Sequence, residues 1–167
     1  MGDIKGSIEK AIEYLSEHPD EARYTDTVAT AVMEEGLRCR VDGPAGESLT
    51  TDMSKSVGGE ESAPSPGWLF RAALASCDAT LIAMRAAQLG VTLTRLEVVV
   101  DSESDDRGVL GTDPSVPSGP FSIRVRVDAA AAGAEPAQLR DIVEWGVDHC
   151  PVCDAAKRPV DVSLEMV

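Results

Sequence analysis

Aromatic residues are scarce. The 167-residue chain has two Phe, two Trp and two Tyr, so its core must be aliphatic and alanine-rich. Basic residues are outnumbered, with 15 Lys and Arg against 29 Asp and Glu. The formal net charge of -14 argues against a surface that neutralises nucleic-acid phosphates and for a soluble acidic protein. No apolar run free of charge reaches the roughly 18 residues of a membrane span. The longest candidate, residues 66–90, is interrupted by Arg71, Asp78 and Arg85. Met1 to Gly6 contain no basic segment leading into an apolar one, so no signal peptide and a cytoplasmic location are expected. No internal repeat is present. The length suits one domain with a sizeable core.

The chain does have four cysteines. In a reducing compartment these are redox-active or metal-binding rather than structural staples. Cys77 lies in the middle of the apolar stretch. Pro66 suits the first turn of a helix and Gly90 a C-terminal cap, so the stretch predicts a helix over 66–89. A helix this apolar on all sides is expected to be buried.

Around it, residues 4–18 predict an amphipathic helix, with Ile4, Ile8, Ile12 and Leu15 at helical spacing. It ends at His18-Pro19, and His18 reads as a solvated helix-end residue. Residues 27–32, 37–42 and 49–53 predict strands, with Gly43–Ser48 as a hairpin loop. In such a strand Arg38 and Arg40 share one face and Cys39 takes the other. Residues 92–101 and 121–128 predict two more strands, separated by a flexible Ser/Asp/Gly/Pro-rich loop. Pro136 opens a second helix, and residues 160–167 predict a last strand. Runs of strands with grouped helices indicate an α+β fold with an antiparallel sheet.

Cys150-Pro151-Val152-Cys153 is a Cys-x-x-Cys motif. A thioredoxin-like site would place it after a strand and at the start of a helix, whereas here it follows a helix. A structural zinc site needs about four ligands. His149 and Cys39 are the candidates to complete one, but there is no second close pair, and no metal site is expected.

Two segments together resemble the OsmC/Ohr family of peroxide-reducing thiol proteins. One runs from Gly58-Gly59 through Pro64-x-Pro66-x-x-Leu69-x-x-Ala72-x-x-Ala75-x-Cys77. The other is Cys150-Pro151-Val152. The resemblance spans roughly residues 25–167, which makes residues 1–167 a single OsmC-like domain with an added N-terminal helix. It implies an antiparallel sheet wrapped around long buried helices in an intertwined homodimer. It also implies a catalytic Cys77 that attacks an organic hydroperoxide or hydrogen peroxide to form a sulfenic acid. Cys150 then closes a Cys77–Cys150 disulfide, which an external dithiol such as a dihydrolipoyl protein reduces. No cofactor, nucleic acid or membrane is implied. An arginine from the N-terminal strands, Arg38 or Arg40, is expected to lower the pKa of Cys77.

The sequence departs from the family pattern at Gly67, where the Ohr branch carries a Glu. It departs again at Cys153, where many relatives carry Ser. Cys153 is a third thiol that can resolve Cys77 or pair with Cys150. The alternative to the enzyme is a non-catalytic redox sensor, or a binder of small hydrophobic ligands, on the same fold.

Overall fold

A computed structural model describes residues 3–166. The chain divides into two compact units. Ala11–Phe70 forms one, and the chain from Arg71 onward, with the residues up to Lys10, forms the other.

Helix α1 is Ile4–Glu17. The Asp3 carboxylate accepts the Gly6 N–H at its start (2.9 Å). Its end precedes Pro19, as the sequence requires, and the His18 ring stacks on Tyr14 (4.4 Å between centroids). None of its residues is buried.

The first unit holds strands β1 (Thr30–Met33), β2 (Cys39–Asp42) and β3 (Ser48–Thr51). They form an antiparallel sheet in the order β1-β2-β3. Val32 lies opposite Arg40, and Arg40 opposite Thr50. These strands are shorter than the sequence suggests. The hairpin begins at Gly43, whose N–H bonds the Glu47 carbonyl (2.8 Å), so β2 stops at Asp42. β1 then has no partner before Thr30.

After β3 the buried Asp52 carboxylate collects the N–H groups of Met53 (2.7 Å), Glu60 (3.2 Å) and Ser62 (3.0 Å), and the Ser62 hydroxyl (2.8 Å). These bonds, led by those from Ser62, hold its pKa down at about 2. The loop closes so tightly that a side chain at Gly59 would overlap the Met53 carbonyl.

Helix α2 runs Pro66–Gln88. It closes as expected at Gly90, which has φ of +70° and bonds the Ala87 carbonyl (3.0 Å). That conformation is open to glycine at little cost. Strands β4 (Leu93–Glu103) and β5 (Ser122–Ala131) follow. They pair antiparallel, Val98 opposite Val127 and Val100 opposite Val125. Their exposed face carries cross-strand ion pairs, Arg124 and Arg126 on Asp101 (2.8 and 2.7 Å) and Arg95 on Asp128 (2.6 Å). The loop between them contains one short helix, α3 (Asp106–Val109), started by Asp105, which accepts the Arg107 N–H. Helix α4 is Pro136–Asp148 and α5 is Pro151–Lys157.

One expectation here concerns two chains, and one is corrected. First, within the single chain α2 is buried along one side only. Leu74, Asp78, Ile82 and Ala86, four residues apart, form its one buried stripe. Trp68, Phe70 and Met84 remain exposed. One two-stranded sheet and two helices cannot surround a 23-residue helix. Second, the strand expected over 160–167 is absent from the described residues 160–166; Val167 lies outside them. Val162, Leu164 and Met166 are 93%, 89% and 90% exposed. A strand needs a neighbour for its backbone groups, and the chain offers this segment none.

Candidate functional site

The site grows from the packing of α4 on α2. Ile82, Ala86 and Ile142 form one core cluster with Leu96, Val98 and Val127 of the sheet. Gly146 is the point of closest approach. A Cβ there would lie 2.7 Å from the Ile82 backbone nitrogen, so only glycine lets α4 sit this close. One turn further on, α4 ends at His149, and Cys150 falls against the same face of α2. Leu74, Cys150 and Cys153 form a second cluster there, with Cys77, Val100 and Ile123 packed against it.

Cys150 is the residue that caps α5, and Pro151 opens the helix. The Cys-x-x-Cys motif follows a helix, as expected from the sequence, and also starts a new one. A proline, which has no N–H to leave unpaired in the first turn, makes this restart possible so soon after α4. Cys150 Sγ accepts the Cys153 N–H (3.3 Å), which turns both thiols toward α2.

What meets them is Asp78, a residue the sequence reading saw only as a charge interrupting an apolar helix. Its carboxylate is fully buried. Cys153 Sγ donates to Asp78 Oδ1 and Oδ2 (3.2 and 3.5 Å). Ligand atoms of Asp78, Cys150 and Cys153 all lie within 4.8 Å of one another. A signal was available: Asp78 is four residues from both Leu74 and Ile82, on the stripe those residues bury.

Burial pushes both thiols up, and the Asp78 carboxylate beside them adds to the effect. Cys153 rises to about 11. Cys150 lies well above the ordinary thiol range, and the neighbouring Cys77 thiol contributes in the same direction. Cys150 and Cys153 are therefore protonated at neutral pH. Cys77 is half-buried. Cys153 opens onto a groove of about 290 Å³ with apolar walls including Leu74, Phe121 and Ile123, and with Lys157 at its lining.

Arg38 and Arg40 belong to the first unit. Both pair with Glu34 (3.2 and 3.3 Å), so they do share a face. Arg38 also donates to the Ser62 hydroxyl (2.9 Å), and Arg40 pairs with Asp42. Cys39 lies in β2. His149 turns back on α4, its Nδ1 2.8 Å from the Trp145 carbonyl and its ring stacked on Trp145. It takes no part in the thiol cluster. Among the described residues, no helix is long and apolar enough to cross a membrane.

The model of the OsmC-like protein family matches residues 59–165, more than half of the chain. The chain belongs to the OsmC-like family. Solved structures agree with this in fold. An organic hydroperoxide resistance protein OsmC from Legionella pneumophila is similar at 22% identity, with a TM-score of 0.59 over 81% of this chain and 91% of that one. An OsmC-like protein from Mycoplasma pneumoniae superposes with a TM-score of 0.67 at 15% identity, over 81% and 89% of the two chains. The organic hydroperoxide resistance protein OhrB of Bacillus subtilis gives 0.52 at 18% identity, over 84% and 97%. No functionally curated protein matches the sequence. The OsmC-like match contains Cys77, Asp78, Cys150 and Cys153 and leaves out α1 and β1 to β3.

Proposed function

We propose that this OsmC-like protein is a thiol-dependent peroxidase that reduces organic hydroperoxides or hydrogen peroxide. The observation that carries the reading is the packing of Cys77 against Cys150 in one buried cluster, in a chain of this family. The Cys77 thiolate attacks the terminal peroxide oxygen, the O–O bond breaks, and Cys77 becomes a sulfenic acid as the alcohol or water leaves. The Cys150 sulfur then attacks the sulfenic sulfur, water leaves, and a Cys77–Cys150 disulfide remains. An external dithiol, such as a dihydrolipoyl protein, restores both thiols by exchange. Cys150 must lose its proton to do this, and Asp78 is the carboxylate beside it.

In this reading Arg38 and Arg40 supply the positive charge that favours the Cys77 thiolate. Their pairing with Glu34 and the Gly67 that replaces the family Glu weaken that supply. These two features support the second reading, a redox sensor or binder of small hydrophobic molecules on the same fold, working in the cytoplasm as the peroxidase would. The functional unit is a homodimer in both readings. The uncovered side of α2 and the unpaired residues 160–166 support it, and a monomer by light scattering at micromolar concentration removes it.

Peroxide consumption with a dithiol reductant tests the enzyme. Wild type turns over cumene hydroperoxide, Cys77→Ser does not, and Cys150→Ser stops after one equivalent. A wild type that consumes no peroxide while its thiols stay reduced leaves the sensor or binder.

A further inference from the structure

Asp78 has no cationic partner. No ion pair among the described residues includes it, and the nearby Lys157 is engaged by Asp148 (3.6 Å). A buried carboxylate is ordinarily compensated by a cation or by several N–H and O–H donors. Asp78 has thiols instead, which are weak donors. Thiols that face a buried carboxylate and converge on one point are, once deprotonated, a set of metal ligands.

We propose that Asp78, Cys150 and Cys153 form a three-ligand binding site for a zinc-class divalent cation, with the fourth position left to water. Zinc bonds thiolate at about 2.3 Å and carboxylate at about 2.0–2.2 Å, so tetrahedral ligand atoms stand roughly 3.5–3.8 Å apart. Asp78 Oδ1 and Cys153 Sγ are 3.2 Å apart, and the three ligand atoms fall within 4.8 Å. Closing on a metal needs shifts of up to about 1 Å. Two thiolates and a soft site select zinc over magnesium or calcium, which prefer oxygen.

The ligands come from positions that packing holds still. Cys150 caps α5, Cys153 follows three residues later in that helix, and Asp78 sits on the buried stripe of α2. Cys77 packs on the same cluster. The groove onto which Cys153 opens provides a way in. Binding displaces the Cys150 and Cys153 protons into solvent. The cation then neutralises the carboxylate and one thiolate, and Lys157 stands near what charge remains. The sequence lacked a second pair of ligands for zinc. The fold supplies Asp78 in place of His149 and Cys39.

This inference goes beyond the peroxidase reading and does not need it. Metal on Cys150 ties up the resolving thiol, so a loaded chain forms its disulfide slowly and a metal-free chain forms it freely.

The test uses the full-length protein, reduced and stripped with chelator, titrated with Co²⁺ and then with Zn²⁺. The expected result is one Co²⁺ per chain with a thiolate-to-cobalt charge-transfer band, displaced by one Zn²⁺. Cys150→Ser or Cys153→Ser weakens binding by more than about 100-fold, and Asp78→Asn by at least about 10-fold, at or above the effect of removing a supporting residue. Cys39→Ser changes nothing. If Asp78→Asn does not fold, judged by circular dichroism, the cysteine variants decide alone. No uptake by the folded, reduced wild type overturns the proposal, as does uptake that survives Cys150→Ser and Cys153→Ser. Peroxide turnover measured on the metal-free protein keeps failure of this site apart from failure of the peroxidase reading.

Discussion

Asp52 and Asp78 are both buried carboxylates, one in each compact unit, and they are held in opposite ways. Asp52 receives three backbone N–H groups and a hydroxyl. It stays ionised to about pH 2, and its role is to tie the loop before α2. Asp78 meets only cysteine thiols. It strengthens no turn, and instead raises the thiols beside it. A buried acid whose hydrogen-bonding capacity is filled by backbone reads as architecture. A buried acid facing groups that can themselves lose protons reads as chemistry. The buried acid of one unit closes a loop, and that of the other faces thiols.

Under the peroxidase reading, the largest effect that separates them is on peroxide turnover. Cys77→Ser in the second unit is expected to lower cumene hydroperoxide consumption by at least about 1,000-fold, as loss of a nucleophile does. Cys39→Ser, the same change in the first unit, leaves it within about twofold. Equal losses in the two variants would erase the division.

Stability comes next. Asp52→Ala leaves four donors without their acceptor, and calorimetry is expected to show a melting temperature lower by about 5 °C or more. The sign of the pH effect follows from the depressed pKa. The stabilisation by Asp52 is complete above the ordinary carboxylate value near 4, and is lost as pH falls through about 2. Wild type should therefore weaken between about pH 4 and 2 more steeply than Asp52→Asn, whose amide does not titrate. Matching acid curves would show that another group governs that window.

A smaller shift sharpens the other half of the comparison. Asp78→Asn removes a negative charge beside Cys153, so its thiolate becomes easier to form and its pKa falls from about 11. Burial is the larger cause and remains, which keeps the value above the ordinary 9.0. Alkylation across a pH series, read by peptide mass, measures this. An upward shift would contradict the geometry.

The smallest expected effect concerns the arginines. If Arg38 or Arg40 favours the Cys77 thiolate, replacing it with Ala raises the alkylation midpoint of Cys77 by up to about 1 unit. Unchanged midpoints in both variants would remove them from the site.

Much of this was legible from local chemistry. Pro66 and Gly90 marked the ends of α2 because they act on their own backbone, whatever surrounds them. Pro136 and the spacing of Leu139, Ile142 and Val143 marked α4 in the same way. The pairing of Cys77 with Cys150 came from family resemblance and stays a proposal; Cys77 packs against the cluster that holds Cys150. The strand expected over 160–167 failed because alternation describes a face without providing a neighbour. Helix α5 was missed because its start depends on how α4 ends, and Asp78 because a charge in an apolar helix has meaning only through what faces it.

By itself, then, the sequence determined the elements whose signals act within a few residues: the helix caps, the β4 and β5 alternation and the positions of the four thiols. Tertiary structure alone decided which groups meet. Gly146 admits α2 close enough for Cys150 and Cys153 to reach Asp78, which lies 75 residues before Cys153 in the chain. A side chain's burial and partners are properties of its neighbours in space, and no local pattern carries them.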